Sequence, residues 1–227
     1  NTLILTLAPI TPADALCQFM PGQYLDILPP DTGWLARAYS IGNAPRDDGS
    51  VELQVRHVMG GRLTHWLFEG VHEGDVVKAR GPQGRFTLRS IPGKPLVFVA
   101  GGTGLAPINA LIEQQLVLGL TGDIQLFWGV NTSEDLYELD ILASWTKRDA
   151  RVHATLVVDH GPLPDDLAVD VRAVSGSLAD ALATSSASLT GFDAYIAGPP
   201  AMMSSVVDAL AQAGVQRERI RVDSFGL

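Results

Sequence analysis

Cysteine is nearly absent from this 227-residue chain, Cys17 being its single thiol. One thiol forms no internal disulfide, and a thiolate-held iron–sulfur cluster takes four, so no cluster is expected within this chain. No run approaches the ~18 apolar residues that span a bilayer, and the chain opens on Asn1 without the basic-then-apolar pattern of an export signal. No membrane partner is expected, and the cytoplasm is the expected location. Positive charge is also scarce. Sixteen Lys and Arg against 25 Asp and Glu leave a formal charge of -9, which argues against nucleic acid as a partner. The five histidines show no His-Glu-x-x-His spacing, and no Gly-x-Ser-x-Gly elbow occurs, so metalloprotease and serine-hydrolase chemistry lack their carriers and no metal is expected. Asp135, Glu138 and Asp140 read as ordinary solvated charges around the start of a helix.

Glycine is what the chain has in useful places. Residues 96–100 are apolar and rich in branched side chains, Gly101, Gly102, Thr103 and Gly104 follow, and a segment of helical period begins with Pro107 in its first turn. Strand, glycine turn and helix start together gather unpaired backbone N–H groups and the positive end of a helix dipole, and missing Cβ atoms admit the oxygens of a pyrophosphate. A tight strand-to-helix connection needs the same glycines, so this stretch alone leaves both readings open.

Before it, the period is two. Residues 2–8, 23–28, 34–41, 51–57, 75–80 and 85–88 are short alternating or apolar runs between Gly, Pro, Asp and Asn, as in a small antiparallel barrel or sandwich, and only residues 62–68 look helical. Alternation puts Arg37 and Tyr39 on one strand face, a cation for phosphate beside a ring able to stack on a flavin, while Ala38 and Ser40 face the other way. In residues 55–67 a strand, a glycine pair and a short helix repeat the anion-site pattern: the N–H groups of Gly61, Arg62, Leu63 and Thr64 open the helix and Thr64 adds a hydroxyl. An exposed sheet face and an ordinary helix cap are the plainer alternatives. After the connector at 91–95, predicted strands (96–100, 124–130, 151–158, 193–197, 219–223) alternate with predicted helices (105–118, 136–147, 178–183, 200–213), a βαβ pattern that predicts a parallel sheet. The expected organisation is therefore two domains: an antiparallel β-barrel at 1–91 and a Rossmann-like α/β domain at 95–227.

Six motifs in register carry a resemblance. Gly22-Gln23-Tyr24, Arg37-Ala38-Tyr39-Ser40, Gly61-Arg62-Leu63-Thr64, Gly81-Pro82-Gln83-Gly84-Arg85-Phe86, Gly101-Gly102-Thr103-Gly104 with Pro107, and Ala197-Gly198-Pro199-Pro200-Ala201-Met202 follow the order and spacing of the ferredoxin-NADP reductase superfamily. The chain most resembles the flavin and nicotinamide part of the reductase components of bacterial oxygenases. The resemblance implies FAD held by Arg37, Ala38, Tyr39, Ser40, His57, Val58, Gly61, Arg62, Leu63 and Thr64, with Ser40 near flavin N5 and Phe225 beside the ring. It implies a nicotinamide dinucleotide held by Gly102, Thr103, Gly104 and Pro107, with Gly198, Pro199 and Met202 shaping the nicotinamide pocket. Where many relatives carry Cys before Gly-Pro-Pro, this chain has Ala197, which removes any thiol role there. Asp159, at the end of a predicted strand where NADP-dependent relatives tend to carry Ser-Arg, would repel a 2'-phosphate and points to NADH.

The implied activity is hydride transfer from NADH to FAD, followed by single-electron release to an iron–sulfur protein or domain that serves an oxygenase. Reductases of this type usually carry four cluster cysteines. That domain is therefore expected before Asn1 in a longer polypeptide, or else as a separate ferredoxin. A flavin reductase or flavohaemoprotein-type reductase is the alternative, and a flavin- or nucleotide-binding subunit without turnover the remote one.

Overall fold

The computed structural model describes residues 1–11, 19–31, 33–89, 91–119, 122–165, 167, 171–185 and 188–225; Cys17 lies outside them. The first half holds two antiparallel sheets. One pairs β1 (Thr2–Leu7) with β4 (Val51–Arg56), and the other runs β3 (Arg37–Ser40), β2 (Tyr24–Ile27), β5 (Ala79–Gln83). Among the described residues a single bridge, Ile41 to Leu53, joins them. Alternation sends Leu25, Ile27, Val51, Leu53 and Val55 into one core, closed by Leu63 and Leu67 of helix α1 (Arg62–Glu69). The strand expected at 75–80 starts four residues later and runs on to Gln83, and the run at 85–88 forms no strand. Phe86 and Leu88 instead leave the first half and pack into the second half's core, where an apolar pair needs no ladder.

The second half is a six-stranded parallel sheet in the order β11 (Ile220–Ser224), β10 (Asp193–Gly198), β6 (Leu96–Gly101), β7 (Ile124–Val130), β8 (Val152–Val158), β9 (Val171–Ser175). β9 was not expected, because Val171-Arg172-Ala173-Val174-Ser175 is too short and mixed to stand out. β6 is buried along its whole length, as a central parallel strand covered on both faces must be. Leu96, Phe98 and Ala100 face a layer containing α2 (Leu105–Leu118) and α3 (Leu139–Arg148), while Val97 and Val99 face α4 (Leu178–Thr184) and α5 (Pro200–Gln212).

Two features of this half position the site. From β6 the chain winds outward through β7, β8 and β9, then returns to the other side of β6 for β10 and β11, so the winding reverses between β6 and β10. Ligands of open α/β sheets bind beyond the carboxyl ends of the strands at such a reversal. Helix α2 is buried on nearly all sides from Leu105 to Ile112, because the sheet covers one face and the first half the other. The Ala44 N–H donates to Glu113 of α2 at 2.6 Å, a Cβ on Gly42 would lie 3.7 Å from that of Ala106, and Gly22, pressed against the Phe86 carbonyl, lies beside Leu111. Among the described residues no helix is long and apolar enough to cross a membrane.

Candidate functional site

The glycine turn after β6 and the Gly-Pro-Pro turn after β10 meet at the winding reversal. Gly104 sits against the β10 backbone: a Cβ there would lie 2.6 Å from the Ala197 carbonyl carbon and 2.9 Å from the Gly198 nitrogen. Gly198, at φ +149, approaches the Gly101 nitrogen and the Met202 sulfur, and a Cβ on Gly101 would lie 3.0 Å from Pro199 Cδ. The Phe225 N–H donates to the Gly198 carbonyl at 3.3 Å, so the chain's last described residue closes the same corner. Gly101 and Gly104 on one turn and Gly198, Pro199, Met202 and Phe225 on the other side are thus neighbours, with Gly102 between the first two in sequence.

Gly102 differs from its fellows. Its φ is +53 and a Cβ on it would meet nothing within 4 Å, so the turn is left-handed and open on that side. Trp128 Nε1 donates to the Gly102 carbonyl at 2.9 Å, with the Tyr137 hydroxyl 3.4 Å from the same oxygen. In a trans peptide the N–H opposes the carbonyl, so the Thr103 N–H points away from Trp128. Gly102 to Gly104 form a short 3-10 turn that runs into α2 with no side-chain cap, and Pro107, within its first turn, is buried. Open space, a fixed peptide and an uncapped helix start are what a pyrophosphate requires, so these residues fit a dinucleotide. Asp159 follows β8, its N–H donating to the Val130 carbonyl at 3.0 Å and its half-exposed carboxylate 3.4 Å from His160 Nδ1.

In the first half, β3 pairs in regular register with β2, Leu25 opposite Tyr39 and Tyr24 opposite Ser40. The irregularity of this sheet lies between β2 and β5, so nothing in β3 turns Ser40 from the face that alternation gives it. Tyr39 packs against the first core; burial raises its phenol's pKa, opposed by the nearby Arg37 guanidinium. Arg37 and Ala38 are exposed, and Ser40 is half-buried. Helix α1 begins at Gly61 without a side-chain cap. Thr64, expected to offer its hydroxyl outward, turns it inward: it is buried, accepts from the Val58 N–H at 3.2 Å and lies 3.1 Å from the Gly61 carbonyl. Leu63's side chain belongs to the core, so Leu63 and Thr64 have backbone N–H groups to offer. His57 is exposed, edge-on to Phe68 at 5.0 Å, and Val58 is half-exposed. The Arg62 guanidinium lies 4.5 Å above the Trp34 ring. Two exposed guanidiniums, an uncapped helix start and the open side of Gly60 suit the phosphates of a flavin nucleotide.

Sequence reading missed the polar seam between the halves. Glu138, read as a solvated charge, is half-buried and accepts from Gln54 Nε2 at 2.6 Å across that seam. Burial first, then the charges of Glu52 and Glu113, raise its pKa to about 7. Glu138 also adopts φ +50, the only positive φ outside glycine among the described residues, and α3 starts after it rather than at 136. Asp223, paired with Ala197 in the β10–β11 register and two residues from Phe225, has its carboxyl pKa raised by burial. A cavity of about 290 Å³ lined by Arg89, Lys94, Asp193, Arg219 and Arg221 lies at the opposite, amino-terminal ends of β6, β10 and β11, away from the glycine turns. No group of three or more metal-ligating side chains occurs among the described residues.

Two uncapped glycine turns, one on each half, suit the phosphates of two nucleotides, as in a flavin- and nicotinamide-dependent oxidoreductase. Residues 1–88 match the model of the oxidoreductase FAD-binding domain, and residues 98–208 that of the oxidoreductase NAD-binding domain. The chain belongs to the ferredoxin-NADP reductase superfamily. It is 34% identical over 209 residues to the reductase component, ferredoxin–NAD(P)+, of the naphthalene 1,2-dioxygenase system of Pseudomonas putida, covering 92% of this chain and 61% of that protein. The crystal structure of the Amycolatopsis cytochrome P450 reductase GcoB superposes with a TM-score of 0.86 at 32% identity, over 99% of this chain and 65% of that one. The flavohem-like FAD/NAD-binding domain of nitric oxide dioxygenase from Vibrio cholerae shares the fold, with a TM-score of 0.81 at 24% identity over 100% of this chain and 93% of that one. The chain thus spans under two thirds of the length of the first two relatives.

Proposed function

We infer that this chain is the flavin and nicotinamide part of an oxygenase reductase component, with NADH as donor and FAD as resident cofactor. Bound FAD supplies the conversion of a two-electron hydride donor into a one-electron source, the chemistry an iron–sulfur protein or domain upstream of an oxygenase needs. The protein's own residues position the reactants. Arg37, Arg62 and the backbone from Gly61 to Thr64 hold the flavin phosphates, with His57 and Val58 lining their approach and Ala38 leaving the strand face free. Tyr39 packs beside the isoalloxazine, and Ser40, on the opposite face at the last position of β3, offers its hydroxyl near N5 from the strand's end. Gly102, Thr103, Gly104 and Pro107 hold the dinucleotide pyrophosphate. Gly198, Pro199, Met202 and Phe225 shape the nicotinamide pocket, so that the reacting atoms are held together rather than meeting by diffusion.

Asp159 accepts from a free ribose hydroxyl and repels a 2'-phosphate, which is the ground for NADH over NADPH. The domains on this reading are 1–91 and 95–227, and the location is cytoplasmic. The carrying observation is the junction of Gly101, Gly104, Gly198 and Phe225 at the winding reversal. The test is anaerobic titration of the yellow holoprotein with NADH and with NADPH, followed by addition of a ferredoxin. Bleaching by NADH in preference to NADPH, then reduction of the ferredoxin, is expected. Yellow protein that NADH does not bleach would make this a binding subunit. Electron delivery to free riboflavin but not to ferredoxin would make it a flavin reductase.

A further inference from the structure

Strand β4 offers Glu52 and Gln54 to the second half, and there the two halves exchange side-chain hydrogen bonds. Gln54 Nε2 donates to Glu138 Oε2 at 2.6 Å, the Tyr137 hydroxyl donates to Gln54 Oε1 at 2.6 Å, and the same hydroxyl stands 3.4 Å from the Gly102 carbonyl oxygen. Gln54 is 5% exposed, and Tyr137 packs edge-on against Trp128 at 5.1 Å, the residue already bonded to that carbonyl. Glu138 takes a left-handed backbone, strained for a residue other than glycine, so the surrounding contacts hold it there.

We propose that Glu138, Gln54 and Tyr137 form a reversible hydrogen-bond wire that positions the dinucleotide-binding turn, its direction set by whether Glu138 carries a proton. The proposal rests on the dinucleotide reading above. An ionised carboxylate only accepts, so it takes the amide NH2 of Gln54; the amide oxygen then takes the Tyr137 proton, and the Gly102 carbonyl keeps Trp128 Nε1 and the Leu105 N–H. A protonated Glu138 donates to the amide oxygen, Gln54 turns over and donates its NH2 to the Tyr137 oxygen, and the Tyr137 proton goes to the Gly102 carbonyl. One proton enters from solvent onto Glu138; every other step is reorientation. The added donor on Gly102, beside Trp128 and the Leu105 N–H, further polarises the peptide whose N–H is Thr103, and strengthens it toward an anion.

The groups that face Glu138 bear on when the wire reverses. Glu52 on β4 and Glu113 on α2 oppose ionisation, which together with burial brings its titration to about pH 7. Arg46 lies 2.8 Å from Glu52 and also faces Glu113 and Asp48, so it is spent on those carboxylates. Tyr137, its own phenol pKa raised by burial, stays a neutral donor throughout.

The test measures binding of tetrahydro-NADH, a dinucleotide that donates no hydride, to the oxidised holoprotein by calorimetry across about two units either side of pH 7. Wild-type protein is expected to bind about 2- to 10-fold more weakly as pH rises through the Glu138 titration, the range of one hydrogen bond. Glu138→Gln should hold the tighter value at every pH. Tyr137→Phe keeps the ring against Trp128, and should lose most of the step and sit near the weaker value. A flat wild-type profile overturns the wire, and so does a Tyr137→Phe step as large as the wild type's, since charge alone would then account for it. Absence of analogue binding at any pH with flavin retained sinks the dinucleotide reading instead. Cooperative thermal unfolding and retained flavin in all three proteins separate these outcomes from misfolding.

Discussion

Gly102 and Gly104 stand two residues apart in one turn, yet replacing each by alanine should fail in opposite ways. At Gly102 the new methyl enters open space, and the cost is the left-handed backbone, about 1 kcal/mol, offset in part by about 0.4–1 kcal/mol from a stiffer unfolded chain. The midpoint of thermal unfolding should move by under about 4 °C for a chain of this size. The open space is where a pyrophosphate oxygen has to come, so binding should lose a charge-assisted hydrogen bond of about 1.5–3 kcal/mol, or roughly 10- to 100-fold in affinity. At Gly104 the methyl would lie 2.6 Å and 2.9 Å from backbone atoms of Ala197 and Gly198. Backbone at the end of a central strand yields little, so strain of about 1–3 kcal/mol or more outweighs the gain of about 0.5–1 kcal/mol from alanine's better helical propensity. Gly104→Ala should therefore melt several degrees early, and Gly102→Ala should melt near wild type and bind dinucleotide poorly. Differential scanning calorimetry and analogue titration read both. A Gly102→Ala protein with wild-type affinity would refute the assignment of this turn, and a Gly104→Ala protein with wild-type stability would refute the packing of the two turns.

Other expectations concern the flavin half and the seam. Ser40→Ala should slow anaerobic flavin reduction by about 10- to 1000-fold in stopped flow, the cost of a positioned donor, and an unchanged rate removes its role. Arg37→Leu should shed flavin on dialysis, with affinity lower by about 10-fold or more; full retention of yellow colour would move the phosphate elsewhere. Glu138 has a folded-state pKa near 7 against an ordinary 4.5, so the folded protein holds that proton more tightly. Its contribution to stability is then fullest below about pH 4.5 and declines as pH rises through 7. Glu138→Gln should remove that decline. It should gain on the wild type by about 1–2 kcal/mol between pH 5 and pH 8 in denaturant titrations, after discounting for its partial exposure; equal curves at both pH values would contradict it.

The fold was legible where periodicity changes. Alternation in the first half and the apolar runs at 96–100, 124–130, 151–158 and 193–197 predict the two architectures, and the strands form within a residue of those bounds because each strand's burial is written in its own residues. The misreadings have physical causes. Residues 85–88 alternate like a strand, but Phe86 finds its cover in the other half, where it stands edge-on to Tyr195 at 5.8 Å. The third helix begins late because Glu138 takes a left-handed backbone that no local signal announces in a glutamate. β9 was missed because five mixed residues at a sheet edge carry no pattern of their own.

The glycine turns were legible for the same local reason as the strands, whereas the seam between the halves was not. Gln54 meets Glu138 across 84 positions and Ala44 meets Glu113 across 69, and neither member of either pair looks unusual alone. An acidic residue before a helix reads as solvated because most are. What makes Glu138 different is the arrival of β4, which brings Gln54 and Glu52 to it and takes water away. The charges that raise its pKa therefore come from both halves, Glu52 on β4 and Glu113 on α2, and the same approach buries α2 on its second side. Any motion that separates the halves must return water to Glu138 and lower its pKa toward 4.5, releasing a proton near neutral pH. Proton release that tracks the separation, read with a pH indicator while denaturant loosens the seam, should disappear in Glu138→Gln; release that persists there would place the titrating group elsewhere.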